Sequence, residues 1–227
     1  MPEESTPSHQ PLRLAHRGDW RHGPENSLAA ILAAVAIPAC DGLEFDVQLS
    51  ADGDPVLLHD LTLERVLGRP ERPDQLSTAA LEALGLPTLA EVLAAVPRRM
   101  FLDVELKGDL GRPVVEVLAA GRGADLNNAL VSSFLPSALD RIAGLAPGWP
   151  RWLNTRTLEP TTIDLAVELG CTGISAQWRA IDPDGAARVR DAGLDLAAWT
   201  VRRRSTFDRL ARLGVVAVCV EAAALDG

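Results

Sequence analysis

The chain has 227 residues and a formal net charge of −9, and is 47% hydrophobic and 23% charged. That composition is globular, not disordered or fibrous, and the length suits one large domain or two small ones. The acidic balance argues against a nucleic-acid backbone or an anionic membrane surface as partner, and the uncharged stretch Ser27–Cys40 is too short to span a bilayer.

Residues 1–11 contain Glu3 and Glu4 and no apolar run, which predicts a disordered tail and no signal peptide. From Leu12 a short apolar or alternating run is followed repeatedly by an Ala/Leu-rich helical segment. Strands are predicted at Leu12–Arg17, Leu43–Leu49, Met100–Lys107, Leu130–Phe134, Arg151–Thr155, Thr172–Gln177, Leu194–Val201 and Val215–Glu221. A short extra run, Pro55–His59, follows the turn Asp52-Gly53-Asp54. Helices are predicted near Asn26–Ala36, Thr78–Leu84, Thr88–Ala95, Pro113–Ala120, Ser137–Ala143, Thr161–Leu169, Asp184–Ala192 and Thr206–Leu213. Asn26 is placed to cap the first of these, while Gly170, Gly193 and Gly214 are placed to close the last three.

Eight strands alternating with helices predict an α/β protein, a closed (β/α)8 TIM-type barrel over residues 12–227 as one domain, with a small insertion after the second strand. An open doubly wound sheet is the alternative, but no Gly-x-Gly-x-x-Gly turn follows any strand. Cys40, Cys171 and Cys219 are odd in number, far apart and set among apolar residues. They read as buried free thiols in a reducing, cytoplasmic setting.

Side chains alternate along a strand. In the second strand Leu43, Phe45, Val47 and Leu49 share one face, and Glu44, Asp46 and Gln48 the other. In the next barrel strand Leu102, Val104 and Leu106 oppose Asp103, Glu105 and Lys107. In a half-solvated sheet the polar face would simply meet water. In a barrel it looks inward, where an isolated carboxylate costs several kcal/mol unless it is paired or metal-bound. Glu44, Asp46 and Glu105 are therefore expected to hold a divalent cation, and their all-oxygen donors suit Mg²⁺ or Ca²⁺ over zinc or copper.

His16 and His59 each end a strand-like run at the barrel face where catalysis occurs, and two imidazoles beside one site can act as acid and base near neutral pH. His9 and His22 read as ordinary surface residues. Arg17 and Lys107 add a guanidinium and an ammonium suited to a phosphate oxyanion. Lys107 is the only lysine among 22 basic residues. The residues alone thus point to metal-assisted phosphate-ester chemistry.

Six ordered segments carry a family resemblance: His16-Arg17-Gly18, Pro24-Glu25-Asn26-Ser27, Gly42 to Val47, Asp52-Gly53 with Pro55-Val56, His59-Asp60 and Glu105-Leu106-Lys107. Softer echoes follow at Ser133-Phe134 and Ala198-Trp199-Thr200-Val201. Together they resemble the glycerophosphodiester phosphodiesterases. The resemblance implies hydrolysis of a small glycerophosphodiester to glycerol 3-phosphate and an alcohol; the charge and the short uncharged stretch already predict no nucleic-acid partner and no stable membrane insertion. It implies that Glu44, Asp46 and Glu105 hold the cation, that His16 and His59 do acid–base work on a water or on the substrate's own 2-hydroxyl, and that Arg17 and Lys107 bind phosphate. Phe134 and Trp199 are implied as walls of the substrate pocket.

Two positions depart from the pattern. Arg202, followed by Arg203 and Arg204, stands where the family usually has Asn. The last strand ends Val220-Glu221-Ala222-Ala223 in place of Thr-Asp-x-Pro. The arginine run reads as a solvated surface rather than a head-group contact. Two other readings are a sphingomyelinase-D-like lyase that forms cyclic phosphates and a non-catalytic barrel that binds glycerol phosphate.

Overall fold

A computed structural model describes residues 10–227. In chain order they form β1 (Leu12–His16), α1 (Leu28–Val35), β2 (Gly42–Leu49), β3 (Pro55–Leu57), α2 (Glu64–Leu67), α3 (Thr78–Ala83), α4 (Leu89–Ala95), β4 (Phe101–Leu106), α5 (Gly111–Arg122) and β5 (Ala129–Ser133). There follow α6 (Pro136–Leu145), β6 (Arg151–Thr155), α7 (Pro160–Glu168), β7 (Gly173–Gln177), α8 (Pro183–Asp191), β8 (Asp195–Val201), α9 (Arg204–Arg212) and β9 (Ala217–Val220). Of the expected tail, only Gln10 and Pro11 lie within the described residues.

β1 pairs in parallel with β2 on one side (His16 opposite Glu44) and with β9 on the other (Leu14 opposite Cys219). That double pairing closes the sheet β1-β9-β8-β7-β6-β5-β4-β2 into the expected TIM barrel of parallel strands. Among the described residues β3 is the one antiparallel member, and it takes up β2 from Val47 to Leu49, beyond the end of β1.

The outward faces of the strands meet the helices. Leu43, Phe45 and Val47 of β2 and Leu102, Val104 and Leu106 of β4 are buried in the main core with Ile31 of α1, Val92 of α4 and Leu139 of α6. Each such side chain contributes about 1.5–3 kcal/mol of burial. The inward faces grade along the barrel axis. Leu14, Leu130, Trp152, Ala197 and Ala217 fill the amino-terminal end. Gly42 makes room there, because a Cβ on it would lie 2.7 Å from the Leu14 side chain and 2.4 Å from the Phe101 carbonyl oxygen. Toward the carboxyl ends the inward residues become ionic.

Helix starts follow their sequence signals with one correction. The α1 cap is Ser27, whose Oγ accepts from the Ala30 N–H at 3.2 Å; Asn26 does not cap it. Asn26 takes up φ +60° and sends its side chain to the barrel mouth. Gly170, Gly193 and Gly214 have positive φ just beyond α7, α8 and α9, as helix-closing glycines do. The insertion between β2 and α4 packs a small core of its own from Val56, Leu58, Leu63, Leu81 and Leu86. No helix among the described residues is long and apolar enough to cross a membrane. The three cysteines are buried and unpaired.

Candidate active site

The carboxyl ends of the strands surround a cavity of about 140 Å³. Eight of the nine residues singled out in the sequence line it: His16, Arg17, Glu44, His59, Glu105, Lys107, Phe134 and Trp199. The ninth, Asp46, lies fully buried against them, with Oδ1 2.8 Å from Lys107 Nζ and Oδ2 3.0 Å from Arg17 Nε.

Register explains the cluster. Asp46 is paired with Glu105, and Glu44 with both His16 and Asp103, so alternation points all of them into the barrel. One oxygen from each of Glu44, Asp46 and Glu105 lies within 4.8 Å of the others. Burial first, and then the charges of Asp46 and Glu105, push Glu44 well above the usual carboxylate range. Glu105 is raised for the same reasons, burial first and then Asp46. Burial acts on Asp46 too, but Lys107 and Arg17 outweigh it and hold Asp46 below the ordinary value. Glu44 Oε2 is buried with no hydrogen bond among the described residues, whereas Asp46 Oδ1 faces the Lys107 ammonium. Buried oxygens left this way are costly without a counter-charge. The donor set therefore fits a hard divalent cation.

Arg17 has φ +60° and Gly18 has φ +85°. A Cβ on Gly18 would stand 2.6 Å from the carbonyl carbon of Ala30, so only glycine lets this turn lie against α1. The Arg17 N–H donates to the Glu44 carbonyl at 2.7 Å, and Arg17 Nη1 donates to Glu25 Oε1 at 2.9 Å.

The imidazoles are held alike. His16 Nδ1 is 2.6 Å from Glu221 Oε1, and Arg202 Nε donates to Glu221 Oε2 at 2.5 Å. His59 Nδ1 is 2.6 Å from Asp60 Oδ1, and Arg65 Nε donates to Asp60 Oδ2 at 2.5 Å. Each ring thus has a carboxylate on Nδ1, itself bound to an arginine, and keeps Nε2 for the cavity. Burial lowers the His59 pKa below the usual histidine value, against the opposing pull of Asp46 and Asp60. Burial tends to raise Glu221, but hydrogen bonds from His16 and Arg202 bring it below the ordinary value. Phe134 and Trp199, which line the same cavity, meet edge to face with centroids 5.4 Å apart, and Trp199 Nε1 donates to the Ser175 carbonyl at 2.9 Å.

Several positioning groups are absent from the sequence reading. Asn26 Nδ2 donates to Asp46 Oδ2 at 2.9 Å. Gln48 Nε2 donates to the carbonyls of Leu58 and Asp60, at 2.9 and 2.6 Å, and so ties β2 to the His59 turn. Arg65 spans Asp60 and Glu25, linking the two histidine-bearing regions. Arg202, read as part of a solvated run, is exposed along its length but bonded at its guanidinium to Glu221. Within the Pro24-Glu25-Asn26-Ser27 segment the signal for Glu25 and Asn26 was available, because two polar residues precede a helix whose cap is already supplied by Ser27.

A parallel barrel whose strand ends gather carboxylates, cations and paired imidazoles defines a phosphate-ester enzyme. Residues 16–225 match the model of the glycerophosphoryl diester phosphodiesterase family. The chain belongs to this family and is an enzyme, a phosphoric diester hydrolase. It is 28% identical over 224 residues to a glycerophosphodiester phosphodiesterase of Caldanaerobacter subterraneus subsp. tengcongensis, covering 90% of this chain and 91% of that protein. An Oleispira antarctica phosphodiesterase, solved with the product sn-glycerol-3-phosphate, superposes with a TM-score of 0.82 at 28% identity, covering 93% of each chain. A Thermotoga maritima glycerophosphodiester phosphodiesterase shares the fold, with a TM-score of 0.81 at 22% identity and 96% of each chain covered.

Proposed function

We propose that this chain hydrolyses glycerophosphodiesters to sn-glycerol 3-phosphate and an alcohol by two-histidine acid–base catalysis with one divalent cation, Mg²⁺ or Ca²⁺. The observation that carries the reading is the meeting of Glu44, Asp46 and Glu105 with both imidazoles at one cavity. The three carboxylates would hold the cation, which when bound supplies positive charge to the non-bridging phosphate oxygens.

The remaining chemistry belongs to side chains of this chain. Arg17 keeps Nη2 free of protein partners among the described residues, while Nε and Nη1 are fixed by Asp46 and Glu25. That leaves one edge of a rigid fork to bind a phosphate oxygen. Lys107, steadied by Asp46 and Glu105, adds a second cation at the same wall. One histidine takes a proton from the nucleophile at Nε2, and the other delivers a proton to the leaving alkoxide. Glu221 and Asp60 would accept from Nδ1–H of each ring and leave Nε2 for the substrate, unprotonated on the base and protonated, as an imidazolium, on the acid. The nucleophile is a water or the glycerol 2-hydroxyl; the second route passes through a cyclic phosphate. Phe134 and Trp199 wall the glycerol or alcohol half.

The test is a panel of glycerophosphodiesters assayed for glycerol 3-phosphate with and without divalent metal. Formation of glycerol 3-phosphate that stops in chelator and returns with Mg²⁺ or Ca²⁺ supports the reading. Release of no glycerol 3-phosphate from any diester overturns it. His16→Ala and His59→Ala are each expected to lose about 10²–10⁴-fold in kcat. Wild-type turnover in both would remove the acid–base assignment.

A further inference from the structure

We propose that a basic cavity beside the catalytic one receives the alcohol half of the substrate, so that the enzyme favours glycerophosphodiesters whose head group carries its own negative charge. The inference rests on the hydrolase reading above and adds the class of head group.

The cavity, of about 320 Å³, is lined by Trp178 and Arg179 after β7 and by Thr200, Arg202, Arg203 and Thr206 after β8. Thr200 also lines the catalytic cavity, so the two share a wall next to Trp199. A diester whose phosphate sits at Arg17 and Lys107 thus has a route for its leaving group past Trp199 into the second space.

Its chemistry is one-signed. Three arginines line it and no carboxylate does. Arg202 is partly neutralised by Glu221. Arg179 and Arg203 are exposed and have no carboxylate partner among the described residues, although the chain carries 31 acidic residues against 22 basic ones. By contrast, Arg17, Arg21 and Arg65 are each bound to at least one carboxylate. The floor is also built. Arg209 donates to the carbonyls of Ile181 and Trp178, at 3.0 and 3.1 Å, which fixes the segment carrying Trp178. The Arg179 guanidinium then lies 4.3 Å from the centroid of the Trp178 ring, a stacked arrangement that limits its rotamers. On the catalytic side, Arg156 is exposed above Phe134 at 5.4 Å and again has no acidic partner among the described residues.

Neighbouring guanidiniums without counter-charges repel one another, and an anionic ligand relieves that repulsion while offering them acceptors. A phosphate or a carboxylate on the head group provides this chemistry. A trimethylammonium head group meets only like charge.

Two matched substrate pairs test the inference and separate the two sources of charge. Glycerophosphoinositol is compared with glycerophosphoinositol 4-phosphate, and glycerophosphoethanolamine with glycerophosphoserine. At low salt, kcat/KM is expected to be about three- to tenfold higher for the more anionic member of at least one pair. The ratio is expected to fall toward unity in the doubly substituted Arg179→Gln/Arg203→Gln protein and as salt is raised. Ratios of one or below in the wild-type protein, or a preference that survives the double substitution, overturn the head-group inference. Equal turnover within both pairs leaves the hydrolase reading standing, whereas turnover of none of the four removes both.

Discussion

His16 Nδ1 meets Glu221 Oε1 at 2.6 Å across 205 positions of sequence. The contact joins the first barrel strand to the end of the last, where β1 and β9 lie side by side. Glu221 is only 5% exposed at its side chain, so its bond to His16 is shielded from water, and Arg202 closes its other oxygen. A hydrogen bond to a charged group is worth about 1.5–3 kcal/mol. Glu221→Gln is therefore expected to lower kcat about 10- to 100-fold with a smaller change in KM. Arg202→Gln, which leaves the His16 contact in place, is expected to cost less. A Glu221→Gln enzyme with wild-type kcat would show that the carboxylate does not position the ring.

On the other flank, Arg65 binds Asp60 through Nε and Nη2 and Glu25 through Nη1 and Nη2. It lies in the insertion after β2, 40 positions from Glu25, and acts on the cavity only through His59 and Arg17. A planar fork can hold each of two carboxylates through a pair of N–H donors, a geometry that an ammonium does not reproduce. Arg65→Gln is expected to raise KM, through Arg17, and to lower kcat, through His59, by about three- to tenfold overall. Arg65→Lys is expected to recover little of either. Full recovery by lysine would reduce Arg65 to a point charge.

The position of the acid limb follows from His59. Burial places its pKa below the usual 6.5, and the hydrogen bond to Asp60 works the other way. The free base therefore persists to more acidic pH than in an ordinary histidine. If His59 is the group that must be unprotonated in free enzyme, the acid limb of kcat/KM should have its midpoint below the usual histidine value. Asp60→Asn removes the raising contribution, so the limb should move further toward acid while the plateau falls. A limb that moves toward neutral in Asp60→Asn would contradict the assignment.

Much of the barrel is visible in the sequence because alternation and helix-closing glycines are local signals. Leu43 to Leu49 and Met100 to Lys107 show by their period which carboxylates share a face, and strand register does the rest. The relays were not visible for the opposite reason. Glu221 pairs with His16, and Arg65 with Glu25, through closure of the sheet and folding of the insertion, and no local pattern encodes either meeting. Asn26 shows a subtler failure. A polar residue before a helix predicts a cap, but Ser27 one position later fills that role and frees Asn26 for Asp46. Arg202 misled in a similar way, since a run of three arginines has the composition of solvent-facing surface whatever its first member touches.

Gly18 ties the fold to the site. With φ +85° and a missing Cβ that would otherwise sit 2.6–2.7 Å from backbone atoms of Ala30 and Ile31, it permits the turn that presents Arg17. Backbone atoms of a helix do not yield as a side-chain end would. Gly18→Ala is expected to cost about 1–3 kcal/mol from left-handed strain, with further cost from the clash. Thermal unfolding should show a loss of several degrees, about 2–4 °C per kcal/mol for a chain of this size. An unchanged melting temperature would mean that the turn adapts.

The carboxylate trio gives the last prediction, because it acts on stability as well as rate. Glu44, Asp46 and Glu105 are buried together, and Lys107 and Arg17 only partly offset their charge. A cation that binds the native state and not the unfolded chain stabilises it by about 2.7 kcal/mol at a hundredfold excess over Kd. At about 2–4 °C per kcal/mol, Mg²⁺ or Ca²⁺ should raise the melting temperature of chelator-treated protein by roughly 5–11 °C. Glu44→Gln and Glu105→Gln should each shrink that rise, since each removes a charged donor. The same variants should be more stable than wild type in chelator, where replacing one member of a repelling trio relieves strain that the cation would otherwise relieve. Calorimetry in EDTA and in saturating metal measures both signs. A wild-type enzyme that keeps full activity in excess EDTA, with no metal-dependent shift in melting, would show that the trio does not hold a cation that matters to the reaction.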